Sequence, residues 1–304
     1  MMKNKTQTAK TSRRQPRFLD TSVARPILTG SKKYREYFSN AFKGENLHVS
    51  RFVKMEFRRS FLVNLIRFFF VLDMAHIESV DDAAILWSNK FKTSELKAIL
   101  QIISKLFDTE KIDSSSSTEK EKALLALGRL IKRYETLIEG YTDIGTHSTR
   151  CARANVTLDI NLEKLREDLH GFLELFDDTK SCRDRCVVDE FLLSKKRKAV
   201  ERFVALSGSL SKQKETAGFK RIVENLEDIL SEGPSACSCK RCEKIGDAVI
   251  ALDTPRSFSI EHTDYSFDQL CDSLGQPHQR HPSETAVLAP RPAAIGSSTP
   301  QDYL

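Results

Sequence analysis

Four acidic residues stand in sequence contexts that would bring their carboxylates into one site: Asp20, Glu56, Asp247 and Asp264. Carboxylates that converge repel one another and resist ionisation. A hard divalent cation such as Mg²⁺ or Mn²⁺ relieves this repulsion because it prefers oxygen ligands. A site of this kind binds a phosphodiester and activates a water molecule for hydrolysis.

Each acid also has a simpler interpretation when it is taken alone. Asp20 precedes Thr-Ser and is a typical N-cap, and Asp264 is typical of a turn. Asp247 is in a position to cap a helix. Glu56 lies near two arginines on a helix-like segment, so an ion pair is its alternative. Asp268, one turn after Asp264, is an alternative ligand.

The elements that must position these acids are predicted at the two ends of the chain. A short strand at 17–19 ends at Asp20, and a helix from about residue 52 carries Glu56. A helix at 242–253 carries Asp247, and the alternating run 258–262 predicts a strand before Asp264. We therefore predict one parallel α/β sheet built from both ends, with the acids at the carboxyl ends of its strands, where ligands bind.

The segment between these ends has a helical pattern. Apolar residues recur at helical spacing from about residue 78 to residue 232, and strand-like alternation is nearly absent. We predict an all-helical insertion at 78–236 that divides an α/β domain into the halves 17–77 and 237–284. A separate helical domain is the alternative. Residues 1–16, which are basic and lack acids, and residues 285–304 are predicted to be disordered.

Four motifs together resemble those of the PIN-domain nucleases. They are Phe18–Val23 (FLDTSV), Met55–Arg59 (MEFRR), Gly246–Ala251 (GDAVIA) and Phe258–Phe267 (FSIEHTDYSF). Their order and element types are similar to those of the opening strand and acid, the helical Glu, the helical Asp and the final strand of that family. The resemblance covers about a third of the chain, and the last two motifs are the more specific.

The resemblance implies a PIN-like three-layer fold with a small central parallel sheet. It also implies a metal-dependent endonuclease that hydrolyses phosphodiester bonds, in RNA rather than DNA, through metal-activated water. Asp20, Asp247 and Glu56 would hold Mg²⁺ or Mn²⁺, and Asp264 would complete the site. A non-catalytic PIN-like scaffold, whose helical insertion binds a protein or nucleic-acid partner, is the alternative. The residues that would orient the ligands are Thr21, Ser22 and Thr263.

Five of the seven cysteines cluster around the end of the predicted insertion. Two close-spaced pairs separated by a loop are typical of structural zinc sites, so we predict Zn²⁺ bound by a cysteine set. Free thiols are the alternative. The predicted ligands are Cys182, Cys186, Cys239 and Cys242, with Cys237 as an alternative.

The net charge of +6 is a weak indication of a polyanionic partner. The densest basic run is Lys195, Lys196, Arg197 and Lys198, which we interpret as a phosphate-backbone contact or, equally, as a solvated helix face. The apolar run 61–72 is shorter than the roughly twenty residues of a membrane span. We expect a cytoplasmic, toxin-like protein with no membrane contact, and a homodimer and an antidote protein remain open.

Overall fold

The sheet at the centre of the fold is built from five short parallel strands. The computed structural model describes residues 15–90, 94–144, 151, 153–156, 170–176, 181–207, 216–234 and 236–289. For residues 90, 94–98, 181–185, 236–240, 242 and 243, only the backbone is described.

The strand order in this sheet is β3-β2-β1-β6-β7. The strands are β1 (Arg17–Leu19), β2 (Leu47–Val49), β3 (Thr142–Asp143), β6 (Ser259–His262) and β7 (His278–Arg280). The two predicted ends of the chain meet at its centre, where Phe18 pairs with Ile260 and Leu19 pairs with Glu261. Because every pairing is parallel, all five strands end at the same edge.

Helices surround the sheet and make the chain a mixed α/β protein, as predicted. In the first half they are α1 (Thr21–Thr29), α2 (Lys32–Ala41), α3 (Arg51–Phe57), α4 (Val63–Asp73), α5 (Val80–Lys90), α6 (Ser94–Glu110) and α7 (Lys120–Glu139). In the second half they are α8 (Val187–Lys195), α9 (Arg197–Ser207), α10 (Ala217–Glu232), α11 (Cys239–Asp253), α12 (Tyr265–Leu274) and α13 (Glu284–Leu288). A π-helical turn joins α3 to α4, and residues 170–175 are helical too.

The prediction of an all-helical segment at 78–236 is wrong at its middle and its end. Strand β3 lies inside that segment and pairs with β2, so it belongs to the central sheet. Strands β4 (Ser181–Arg185) and β5 (Ala236–Ser238) form a second, antiparallel sheet. A two-residue strand is too short to show alternation, and for that reason the sequence pattern did not predict β3.

The middle helices share the core of the α/β sheet. Among the described residues, the buried apolar side chains form one continuous cluster that runs from β1 to α12. Phe68 of α4 packs against Trp87 of α5 with ring centroids 5.0 Å apart, and Phe61 contacts Tyr134 of α7 at 5.0 Å. The interpretation as a separate helical domain is therefore wrong for α5 to α7.

Buried charges join α3 to α7 and β3. Arg58 is fully buried and donates to Glu135 at 2.7 Å and to Glu139. Lys54, which is 1% exposed, lies 3.1 Å from Glu139 and 2.9 Å from Asp143 of β3. Burial alone would lower the pKa of Arg58, but the hydrogen bonds and charges of the two glutamates raise it above its ordinary value. These pairs hold the helix that carries Glu56 in place.

The predicted disordered ends are only partly open to test. Residues 1–14 and 290–304 lie outside the described residues. The tail prediction is wrong for 285–288, which belong to α13. That helix contacts α2, and the Ser31 amide donates to the Glu284 carboxylate at 2.8 Å. In the described part of the chain, no helix combines the length and apolar character needed to cross a membrane.

Candidate metal centre

A cleft of about 250 Å³ lies at the carboxyl ends of the strands, and all four predicted acids line it. Asp20 follows β1 and Asp264 follows β6, and these two strands are neighbours at the centre of the sheet. Glu56 reaches the cleft from α3 and Asp247 from α11. The structure therefore brings together the four acids that the sequence singled out.

Asp20 is held rigidly and is 4% exposed. Its backbone amide donates to Glu261 at 3.0 Å, and its Oδ2 accepts the Ser22 amide at 2.9 Å, which caps α1. Its other oxygen, Oδ1, is buried without a hydrogen-bond partner among the described residues. The capping interpretation is therefore correct for one oxygen, and the second oxygen is left to bind something else.

The ends of β1 and β6 are fastened to each other beside the cleft. The Thr263 amide donates to Ser22 Oγ at 3.0 Å. Asp264 then caps α12, since it accepts the Ser266 amide at 2.9 Å. Ser22 and Thr263, which the resemblance names among the residues that would orient the ligands, fix the backbone around both aspartates.

Glu56 is oriented by Thr21. The Thr21 hydroxyl donates to Glu56 Oε2 at 2.6 Å. Arg58, one of the two arginines expected to pair with Glu56, is engaged with the glutamates of α7. The alternative of an ion pair between Glu56 and Arg58 is therefore not realised, and Glu56 lines the cleft.

Helix α11 approaches α3 closely at Gly246, next to Asp247. A Cβ atom at Gly246 would collide with Glu56 Oε1 and lie 3.3 Å from the Phe52 ring. The missing side chain thus makes room for the Glu56 carboxylate. Asp247, the next residue along the helix, is brought beside it.

The pKa values show how strongly the acids interact. Burial, followed by the charges of Asp20, Glu56 and Asp264, raises the pKa of Asp247 well above its ordinary value. Burial also raises the pKa of Asp20, against hydrogen bonds from Ser22 and Thr21 that lower it, and the charge of Asp264 adds to the rise. The cleft is thus a place where negative charge is costly without a cation.

The donor set fits a hard divalent cation. The carboxylates offer only oxygen ligands, and Mg²⁺ and Mn²⁺ prefer such ligands. The unpartnered Asp20 Oδ1 is a buried acceptor that a cation would satisfy. Asp20, Glu56, Asp247 and Asp264 are the residues that would hold it.

No protein-family model, curated protein or solved structure matches the chain.

Two arginines line the cleft together with the acids, Arg25 of α1 and Arg59 beside Glu56. Arg59 was considered in the sequence because it is close to Glu56, but Arg25 was missed. Arg25 could have been predicted from its spacing, because a residue four positions after Thr21 lies on the same face of the helix and so faces the same cleft.

The basic run lies near the amino ends of the strands. Lys196 lines a cavity with Thr254, Pro255 and Gln276, which precede the strands β6 and β7. The acids follow the strands, so Lys196 lies at the opposite end of the strands from the acidic cleft. Lys196 lies over the Phe191 ring at 5.8 Å, and Arg197 pairs with Glu201 at 2.8 Å, as on a solvated helix face.

The predicted zinc ligands come from segments that the backbone brings together. Strand β4 contains Cys182, β5 contains Cys237, and the two strands pair. Cys186 is buried. The side chains of Cys182, Cys237, Cys239 and Cys242 lie outside the described residues, so a zinc site here stays a prediction.

The variant Gly246→Ala is expected to bind Mn²⁺ about 10-fold more weakly, because the added methyl group displaces the Glu56 carboxylate. The matched control is Gly128→Ala on α7, where a Cβ meets nothing within 4 Å. The control should bind normally and gain roughly 0.5–1 kcal/mol of stability from the better helix former. Calorimetric titration with Mn²⁺ measures both affinities. Unchanged affinity in Gly246→Ala would remove Glu56 from the ligand set.

Proposed function

We propose that the chain is a metal-dependent nuclease of the PIN kind that hydrolyses phosphodiester bonds, with RNA as the favoured substrate. The observation that carries this proposal is the convergence of four carboxylates in one cleft, with one buried oxygen of Asp20 left unpartnered. The agreement of that cleft with the four motifs adds support. The preference for RNA rests on the resemblance of the motifs alone.

A bound Mg²⁺ or Mn²⁺ would supply Lewis-acid stabilisation of the phosphate and lower the pKa of a coordinated water. The side chains of the protein do the positioning. Asp20 and Asp247 present oxygens from a strand end and a facing helix, so these side chains would hold the cation to which the scissile phosphate binds. Thr21 keeps the Glu56 carboxylate in one orientation.

The surroundings of the cleft suit a single nucleic-acid strand. The cleft shares Arg25 and Ser60 with a second cavity of about 310 Å³, which extends to Lys105 of α6. Because they share these residues, we take the two adjoining cavities as one groove for the strand, with the acids at one end. Cationic side chains along such a groove bind phosphates without reading sequence.

The variant Arg25→Ala is expected to raise KM with little change in kcat, because it removes a phosphate contact outside the reacting group. The plot of log affinity against log salt should become shallower by about 0.7 for a single strand. Lys196→Ala, at the opposite edge of the sheet, is the control and should leave both quantities unchanged. If Lys196→Ala has the larger effect, the substrate runs along the other edge.

The decisive experiment is a cleavage assay with the full chain on circular single-stranded RNA and circular single-stranded DNA. Circular substrates have no ends, so cleavage of them is endonucleolytic. We expect Mn²⁺-dependent cutting of RNA that EDTA stops and excess Mn²⁺ restores. Asp247→Asn purified in parallel excludes a contaminating nuclease. Failure to cut either substrate would favour the non-catalytic scaffold.

A toxin-like role, an antidote protein and a homodimer remain predictions of the sequence. The same is true of a cytoplasmic location.

A further inference from the structure

A second cluster of metal-ligating atom types lies close to Asp264, where β6 pairs with β7, the last strand of the sheet. His262 ends β6, His278 begins β7, and Asp268 lies in the first turn of α12. His262 Nε2 is 3.1 Å from His278 Nδ1 and 3.4 Å from Asp268 Oδ1. His278 Nδ1 is 3.5 Å from the same carboxylate oxygen. From the sequence, Asp268 is only an alternative ligand of the acidic cleft.

The protonation of both imidazoles follows from their outer partners. His262 Nδ1 lies 2.9 Å from the Asp264 carbonyl, which only accepts, so this nitrogen carries the proton. His278 Nε2 lies 3.0 Å from Asp272 Oδ1, a carboxylate oxygen, so it carries the proton in the same way. In the neutral imidazoles, the two remaining nitrogens, His262 Nε2 and His278 Nδ1, therefore carry lone pairs that point at each other.

The third inner atom is an acceptor as well. Asp268 Oδ1 is a carboxylate oxygen, and Arg280 engages its other oxygen, Oδ2, at 2.8 Å. Three electron pairs that face one another at these distances repel unless a proton or a metal cation lies between them. His262 is fully buried, so water has little access to its side of the cluster.

We propose that His262, Asp268 and His278 form a binding site for a divalent transition-metal ion, Zn²⁺ foremost. Tetrahedral Zn²⁺ with ligands at about 2.0–2.1 Å separates neighbouring ligand atoms by about 3.4 Å. The three observed separations, 3.1, 3.4 and 3.5 Å, lie around this value. Two imidazoles and one carboxylate are a set that Zn²⁺ favours over Mg²⁺.

The outer partners are those that metal-binding histidines use elsewhere. Ligand histidines donate their second N–H to a carbonyl or carboxylate, which fixes the ring. Here the partners are the Asp264 carbonyl and Asp272. Asp268 and His278 are partly exposed, so a fourth position is accessible to water.

This site is distinct from the acidic cleft but adjoins it. The Asp264 carbonyl accepts a hydrogen bond from His262 Nδ1, while the side chain of Asp264 lines the cleft. A metal ion at the His–Asp–His cluster would fasten β7 and α12 to β6. It would thereby fix the turn that presents Asp264.

The test is Zn²⁺ and Co²⁺ titration of the metal-stripped full chain, compared with His278→Gln and Asp268→Asn. We expect each variant to bind one equivalent fewer than the wild type. His76→Gln, an exposed histidine outside the cluster, should keep the full number. The Co²⁺ spectrum of the wild type minus that of a variant should lack a thiolate charge-transfer band. This distinguishes the lost equivalent from any Co²⁺ bound by cysteines.

Thermal unfolding adds a readout on the fold itself. Without metal, His278→Gln should unfold at or above the wild-type temperature, because it removes one of the facing lone pairs, and Zn²⁺ should raise the Tm of the wild type more than that of the variant. Equal stoichiometry in the wild type and both variants would overturn the proposal. A lost equivalent with a thiolate band would overturn it as well, because it would assign the metal to cysteine.

Discussion

Asp247→Asn is expected to lower metal-dependent cleavage by at least about 100-fold, since the loss of an outer-shell partner alone commonly costs 10–100-fold. The same substitution should raise the Tm of the metal-free protein. Burial and the charges of Asp20, Glu56 and Asp264 raise the pKa of Asp247, so its ionised form destabilises the fold at neutral pH. A neutral amide of the same size removes that repulsion.

The sign of the pH dependence follows from the raised pKa. The destabilisation by Asp247 is fully present above its folded-state pKa and is relieved as the pH falls through that pKa toward the ordinary value of 3.8. The Tm difference between variant and wild type should therefore narrow on acidification. Mn²⁺ should raise the Tm of the wild type and have much less effect on the variant.

Asp108→Asn serves as the control for this experiment, because Asp108 is an exposed acid on α6 outside the cleft. It should change neither cleavage nor Tm by a measurable amount. Normal cleavage by Asp247→Asn would remove the catalytic site assignment. A lowered Tm in metal-free Asp247→Asn would show that Asp247 is ionised at no cost and that the acids do not converge.

Arg58→Ala is expected to destabilise the protein by about 3–5 kcal/mol, because it leaves the buried Glu135 without its cation. For a chain of this size, that loss lowers the Tm by roughly 10 °C. Chemical denaturation measured by circular dichroism gives the free energy of unfolding. Loss of Arg58 also removes one of the ion pairs that join the helix of Glu56 to α7, so Mn²⁺ affinity should fall together with stability.

Arg129→Ala is the matched control, since Arg129 forms an exposed pair with Glu110 at 3.3 Å. Exposed pairs contribute between zero and about 1 kcal/mol. The double variant Arg58→Met/Glu135→Leu should recover most of the lost stability, because it removes both buried charges. If Arg58→Ala costs no more than Arg129→Ala, the charges joining α3 and α7 do not support the fold.

The acids could be predicted from the sequence because each has a local signature. Asp20 and Asp264 follow short apolar strands, and Asp247 lies on a helix marked by Gly246 and a Pro255 stop. Each of these patterns extends over fewer than twelve residues, so it can be recognised from the local sequence. The α/β class followed from the same local patterns.

What the sequence could not provide depends on distant partners. The pairing of Arg58 with Glu135 joins residues 77 positions apart, and no local pattern records it. Strand β3 is recognisable only by its pairing with β2. The cluster of His262 and His278 was missed because sixteen residues separate ligands that meet only when β6 and β7 lie side by side.

The hydrogen bond between Thr263 and Ser22 spans 241 residues of chain, and it has a consequence for synthesis. A growing polypeptide folds from its N-terminus, and long loops close late because their ends must first find each other. While the ribosome is still making the middle helices, Asp20 and Glu56 are already outside, but the aspartates that complete the cleft do not yet exist. The four-carboxylate cleft therefore cannot form until translation has passed Asp264, so the proposed nuclease activity would arise only after that point.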